Sequence, residues 1–101
     1  MSKKMAVADR KKQLLEVALK LAEKHGYTAL SRIQIANAAG VSETLPTLHF
    51  KSMPLFRKAL MRAAIAAGNL KILAQGLALQ DPIARKAPAD LKEKALATLA
   101  G

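Results

Sequence analysis

A chain of 101 residues suffices for one domain with a single core and is too short for two independent ones. Just over half of it is apolar, yet Tyr27, Phe50 and Phe56 are the only aromatic residues, so alanine and leucine must do the packing and the expected fold class is all-α. Seventeen Lys and Arg against seven Asp and Glu leave a net charge of +10, which favours a polyanionic partner; the lack of cysteine excludes disulfides and thiolate metal sites, and no apolar run is long enough to cross a bilayer.

Residues 1–8 carry Lys3 and Lys4 among small residues without periodicity and read as a basic arm. A first helix is expected from Asp9, whose carboxylate can cap free backbone N–H groups, to Gly26. Leu14, Leu15, Ala18, Leu21 and Ala22 mark its buried face, with Arg10, Lys11, Lys12, Lys20 and Lys24 mostly off it. Ser31-Arg32-Ile33-Gln34 has the form of a capping box and opens a short second helix that Gly40 must end. Ser42 is expected to cap a third helix and Ser52 a fourth, whose Pro54 falls in the first turn, where proline costs least. The fourth helix runs through Leu55, Phe56, Ala59, Leu60 and Ala63 towards Gly68. Leu70, Leu73 and Leu77 define a fifth helix that Gly76 weakens. One helical turn follows Asp81-Pro82, and Leu91, Ala95 and Leu99 mark a final short helix. Residues 9–52 thus form the candidate binding domain, and residues 53–101 a linking helix with a short helical region behind it.

The strongest local signal is Ile35-Ala36-Asn37-Ala38-Ala39-Gly40-Val41-Ser42. Two helices crossing at a sharp angle need a small residue where their axes approach and a glycine at the left-handed turn position, and Ala36 and Gly40 stand four apart in those roles. The pattern is that of a helix-turn-helix. With Val41, Leu45 and Leu48 facing inward, Glu43, Thr44 and Thr47 share the outer face of the third helix, the face that would enter a DNA major groove. Threonine hydroxyls can bond phosphates or base edges and their methyls can touch thymine. Glu43 could accept from a cytosine amino group, although the positive end of the helix accounts for it better. Arg32 and Lys51 flank this face as phosphate or base contacts. Lys3, Lys4 and Lys11 extend the basic surface, and for any one of them a solvated lysine is an equally good reading. Residues 1–62 hold twelve basic and four acidic side chains, net +8, against five and three, net +2, in residues 63–101, so the amino-terminal part is the binding end.

From about Arg10 to Leu60 the chain resembles the tetracycline-repressor (TetR) family of bacterial regulators. The resemblance rests on Ala18-Leu19-Lys20-Leu21, Gly26-Tyr27, Ile35-Ala36, Ala39-Gly40-Val41-Ser42 and His49-Phe50-Lys51-Ser52 at the family's spacing. It implies a three-helix DNA-binding domain, a linking fourth helix, a dimer-forming region and recognition of a palindromic operator. Ser42, Glu43, Thr44 and Thr47 then occupy DNA-facing positions, His49 a motif position near the backbone and Lys51 a phosphate-contact position. Family members usually show Gly-Thr-Leu-Tyr where this chain has Thr44-Leu45-Pro46-Thr47, so a phosphate-binding tyrosine is replaced by threonine, and Pro46 removes a backbone donor within the third helix. The family's basic residue in the second helix aligns with Ile33, one position from Arg32.

Only about forty residues follow Leu60, too few to enclose a drug-sized cavity, so no small-molecule inducer is expected. Leu70, Leu73, Leu77, Leu91 and Leu99 exceed what one thin domain can bury and are expected to pack against a second copy. A glycine-rich phosphate loop, a His-Glu-x-x-His pair and a cysteine nucleophile are all missing and the acids are scattered, so no enzyme, cofactor or metal site is expected. His25 favours the end of the first helix. No apolar segment of signal-peptide type precedes Asp9, which points to a cytoplasmic, nucleoid-associated protein; such compactness would suit a plasmid or phage genome. The alternative is a helical interaction module, an antirepressor or adaptor, that keeps the fold without binding DNA, for which Pro46 and the missing tyrosine speak. Glu16 and Glu23 dilute the basic face of the first helix and argue against a membrane surface.

Overall fold

The computed structural model describes residues 6–100, all of whose regular elements are helices: α1 (Val7–His25), α2 (Arg32–Ala39), α3 (Leu45–Phe50), α4 (Met53–Ala66), α5 (Leu70–Ala78), α6 (Pro82–Arg85) and α7 (Ala89–Ala100). Lys3 and Lys4 of the expected basic arm lie outside the described residues. Val7 and Ala8 of that arm belong to α1, which starts at Val7 rather than at Asp9: Ala6, extended at φ −61° and ψ 153°, precedes it without a side-chain cap. Asp9 lies within the first turn instead, where its charge still complements the positive end of the helix. Leu14, Ala18 and Ala22 form the fully buried stripe at spacings of four, while Leu15 and Leu21 reach the core only in part.

Local chemistry accounts for most of the other boundaries. The Ser31 capping box is complete, with Gln34 N donating to Ser31 Oγ at 3.1 Å and Ser31 N to Gln34 Oε1 at 3.0 Å. At the other end of α2, Gly40 is left-handed (φ 68°, ψ 35°); its N–H donates to Asn37 O and that of Val41 to Ala36 O, the paired bonds of a Schellman motif. Ser52 Oγ accepts from Leu55 N to open α4, Asn69 Oδ1 from Ile72 N to open α5, and Asp81 Oδ1 from Ile83 N to open α6.

One core runs through the described chain. Leu14 and Ala18 of α1, Ile35 of α2, Phe56, Leu60 and Met61 of α4, Ile72 and Leu73 of α5, Ala84 of α6 and Ala95 of α7 belong to a single buried cluster. The five leucines expected to meet a second copy are therefore placed differently. Leu73 is buried within its own chain, and Leu70, Leu77 and Leu91 are half-buried against the same cluster. Only Leu99, 52 % exposed, remains available. The reason is α7, which folds back onto α5 and covers the stripe.

Gly76 does more than weaken α5. It is buried, and a Cβ there would stand 2.5 Å from Met61 Cε and 2.7 Å from Ala84 Cβ, so its hydrogen lets α4, α5 and α6 approach. Gly76→Ala is expected to lower stability by about 1–2 kcal/mol, overpacking outweighing the gain in helix propensity; urea unfolding would measure it.

A polar joint ties the turn after α1 to the carboxyl-terminal helices. Gln75 of α5 donates through Nε2 to Ala22 O at 3.0 Å and accepts from Tyr27 N at 2.9 Å, while Tyr27 Oη donates to Asp81 Oδ2 at 2.8 Å. Burial, then the bond to Asp81 and its negative charge, push the Tyr27 phenol above its ordinary value and keep it a donor. Tyr27 is the chain's one tyrosine, so tyrosinate absorbance reports it alone. Its midpoint is expected well above the usual value of about 10 in the folded chain. Because the folded value is the raised one, the stability it supports is fully present below about pH 10 and is lost as pH climbs towards the folded value, a loss that Tyr27→Phe abolishes.

Candidate nucleic-acid interface

The turn between α2 and α3 carries the hydroxyl groups singled out in the sequence. Ser42 does not cap α3 directly. It organises the turn before it: Ser42 O accepts from Leu45 N at 3.0 Å, and Ser42 Oγ lies 3.0 Å from Thr44 Oγ1. Thr44, already helical at φ −82° and ψ −18°, leads into a helix of only six residues. Thr47 Oγ1 donates to Thr44 O at 3.2 Å, which fixes its methyl and hydroxyl relative to the helix axis. Ser42, Glu43 and Thr44 are exposed and Thr47 is half-buried, so the predicted outer set is brought together.

The inner face of α3 differs from expectation. Pro46 is under 2 % exposed, whereas Leu48, expected inside with Val41 and Leu45, is 72 % exposed. Because α3 starts at Leu45, its inward pole runs through Pro46 and Phe50, four residues apart, and Leu48 falls on the opposite side. Pro46 costs the helix no hydrogen bond, since it occupies the first turn, where the N–H has no intrahelical acceptor. The departure expected to disturb the reading helix is thus a packing residue. Leu48 is the exposed group on the outer face that the spacing argument missed. The family pattern held the signal: its Gly-Thr-Leu-Tyr aligned on residues 44–47 puts an apolar residue at position 46.

Basic groups surround this face. Lys11 Nζ stands over the Phe50 ring, 5.7 Å from its centroid, which brings the second turn of α1 to the carboxyl end of α3. Phe50 in turn meets Phe56 edge-on at a centroid distance of 4.7 Å and an interplanar angle of 73°. Lys51 is exposed at φ 74°, a left-handed position whose N–H closes on Thr47 O. His49 lies half-buried in the last turn of α3, and Arg32 is exposed at the start of α2 beside a half-exposed Ile33. Among the described residues no group of three His, Asp or Glu side chains is placed to hold a metal ion, and no helix is long and apolar enough to cross a membrane.

Two helices joined by a glycine turn, with a short second helix presenting hydroxyls and a leucine between cations, suit the edges and phosphates of a DNA groove. Residues 14–56 match the family model described as bacterial regulatory proteins, tetR family, a span from the middle of α1 through the first turn of α4. They form a TetR-family DNA-binding domain. Neither a curated protein nor a solved structure matches the chain. The TetR-type domain is thus fused, through the length of α4, to three short helices that share its core.

Proposed function

We propose that the chain is a homodimeric transcriptional repressor whose two α3 helices read a palindromic operator in the cytoplasm, without a small-molecule inducer and without enzymatic activity. The observation that carries this reading is the outward arc of Thr44, Thr47 and Leu48 on the recognition helix of a TetR-type domain. Ser42, Glu43, Arg32, Lys11, His49 and Lys51 take supporting positions around it, as phosphate contacts or as groups that set the helix. Two such helices would enter successive major grooves about 34 Å apart. Leu79, Leu96 and Leu99, left exposed on α7 and just after α5, are the apolar groups available to a second copy. Against an inducer stands the shared core of α4–α7, where Met61, Leu73, Ala84 and Ala95 are buried in one cluster, so that the hollows between α4 and α6 open at the surface above it.

Selection of bound sequences from a random duplex pool tests the reading. A palindromic consensus whose affinity falls steeply with salt is expected, because phosphate neutralisation releases counterions; an asymmetric or absent consensus overturns it in favour of an adaptor. On the selected duplex, Thr44→Ala with Thr47→Ala is expected to weaken specific binding by about 10–100-fold and non-specific binding far less. Equal losses on both would show that α3 is not the reader.

A further inference from the structure

Half of the net charge lies beyond the matched segment. Residues 57–88 hold six Lys and Arg (Arg57, Lys58, Arg62, Lys71, Arg85 and Lys86) and a single acid, Asp81, for a net +5 of the chain's +10. Four of the six converge on one place. Two adjoining hollows of about 310 and 240 Å³ run between α4 and α6 and share Arg62 and Ile83, and a third of about 310 Å³ opens beside them on α6, sharing Pro82 with one and Lys86 with the other. Lys58, Arg62, Arg85 and Lys86 stand exposed along them, while Ile65 and Ile83 are half-buried. Asp81 lines one of the hollows and offsets one of these charges, and with its Oδ2 accepting from Tyr27 Oη and its Oδ1 from Ile83 N, both at 2.8 Å, it is held by bonds to neutral donors; the four cations still outnumber it.

The pairing of cations with isoleucines selects the occupant. A nucleic-acid backbone would neutralise the charges but has no apolar group to cover Ile65 and Ile83, and a small anion has none either. A helical segment with carboxylates on one side and aliphatic side chains on the other satisfies both, its apolar face excluding water from the isoleucines and its acids orienting it along the cleft. We infer that the α4–α6 cleft is a docking site for an acidic, apolar-faced segment of a partner protein. It is separate from the DNA-reading surface: Lys58 and Arg62 stand five and nine residues beyond Met53, about 8 and 14 Å along α4 from the end next to α3. A duplex and a partner can therefore be held together, and a protein, rather than a small molecule, becomes the signal such a regulator receives.

The probe is a fluorescent synthetic helix with leucine at every third and fourth position and glutamate elsewhere, added to the full chain. Polyglutamate of the same length and the selected duplex serve as competitors. The wild type is expected to bind the probe and to keep binding it when saturated with duplex, with polyglutamate at least about tenfold weaker. Arg62→Glu with Lys86→Glu, both exposed, is expected to lower probe affinity about tenfold or more while helicity and duplex affinity are retained. Undiminished binding by this variant, or equal binding of polyglutamate, overturns the proposal. Duplex affinity that falls as far as probe affinity would make the cleft a nucleic-acid surface, and a change from dimer to monomer would give it to a second copy; either result also overturns it. The peptide measurement stands whether or not α3 reads an operator.

Discussion

Leu48→Asp is expected to leave thermal unfolding within about 1 kcal/mol of the wild type and to lower affinity for the selected duplex about a hundredfold. The stability half follows from exposure: at 72 % exposed, the leucine contributes little burial, and an aspartate there meets water. The binding half follows from the opposite side of the helix. A carboxylate next to Thr44, one turn along the outer face, would be carried into a groove lined with phosphates, where it loses a contact to base methyls and adds like-charge repulsion. Circular dichroism melts and fluorescence anisotropy on the same preparations separate the two effects. Had the inward stripe been Val41, Leu45 and Leu48, the same substitution would unfold the chain by burying a charge. An aspartate variant that melts early with proportionate loss of binding would restore that arrangement.

How far α3 was legible depends on its length. A six-residue helix completes fewer than two turns, so apolar residues at 41, 45 and 48 fit a helical stripe as well as those at 46 and 50 do, and the choice turns on where the helix begins. Ser42 looked like the cap, yet the chain uses it to build a turn and starts the helix later. In the sequence Pro46 reads as a lost donor, although at the first turn it loses nothing and its ring fills the core. Elements with clear chemical punctuation are readable whatever their length: the Ser31–Gln34 box, left-handed Gly40, Ser52 and the Asp81-Pro82 turn all stand where their chemistry places them. The start of α1 had no such mark, since Ala6 offers no side-chain acceptor and Asp9 was the nearest candidate.

Contacts between distant residues were beyond reach for a different reason. A leucine stripe states that a face is buried but not against what: Leu70, Leu73 and Leu77 of α5 pack into the chain's own core, against which α7 lays Leu91. Likewise nothing local to Tyr27 or Asp81 announces a bond between residues 54 apart, nor does Gly76 announce the methyl and thioether that press on it. The basic count is subject to the same limit: position groups Lys58 and Arg62 with the binding end, whereas the fold sets them along α6, where Arg62 shares a hollow with Lys86.

The largest loss of stability is expected from Phe56→Ala, about 3–5 kcal/mol, read as a fall of roughly 15–30 °C in melting temperature. Phe56 is wholly buried, one of the chain's two phenylalanines, and its ring holds the edge of Phe50. Removing it leaves a cavity in a cluster where the buried α1 and α4 neighbours include Ala18, Ala22 and Ala64, which have no side-chain freedom to close it. Domains of this size are stable by about 5–15 kcal/mol, so the variant stands near the threshold of folding. The single cluster from Leu14 to Ala95 requires that melting remain one cooperative transition, with α5–α7 lost together with α1–α4. A residual helical signal that persists above the main transition would show instead that the carboxyl-terminal helices fold apart. Below its melting temperature the variant should still lose sequence-specific binding, because Phe50 terminates α3 and supports Lys11, and both depend on the ring of Phe56 for their position.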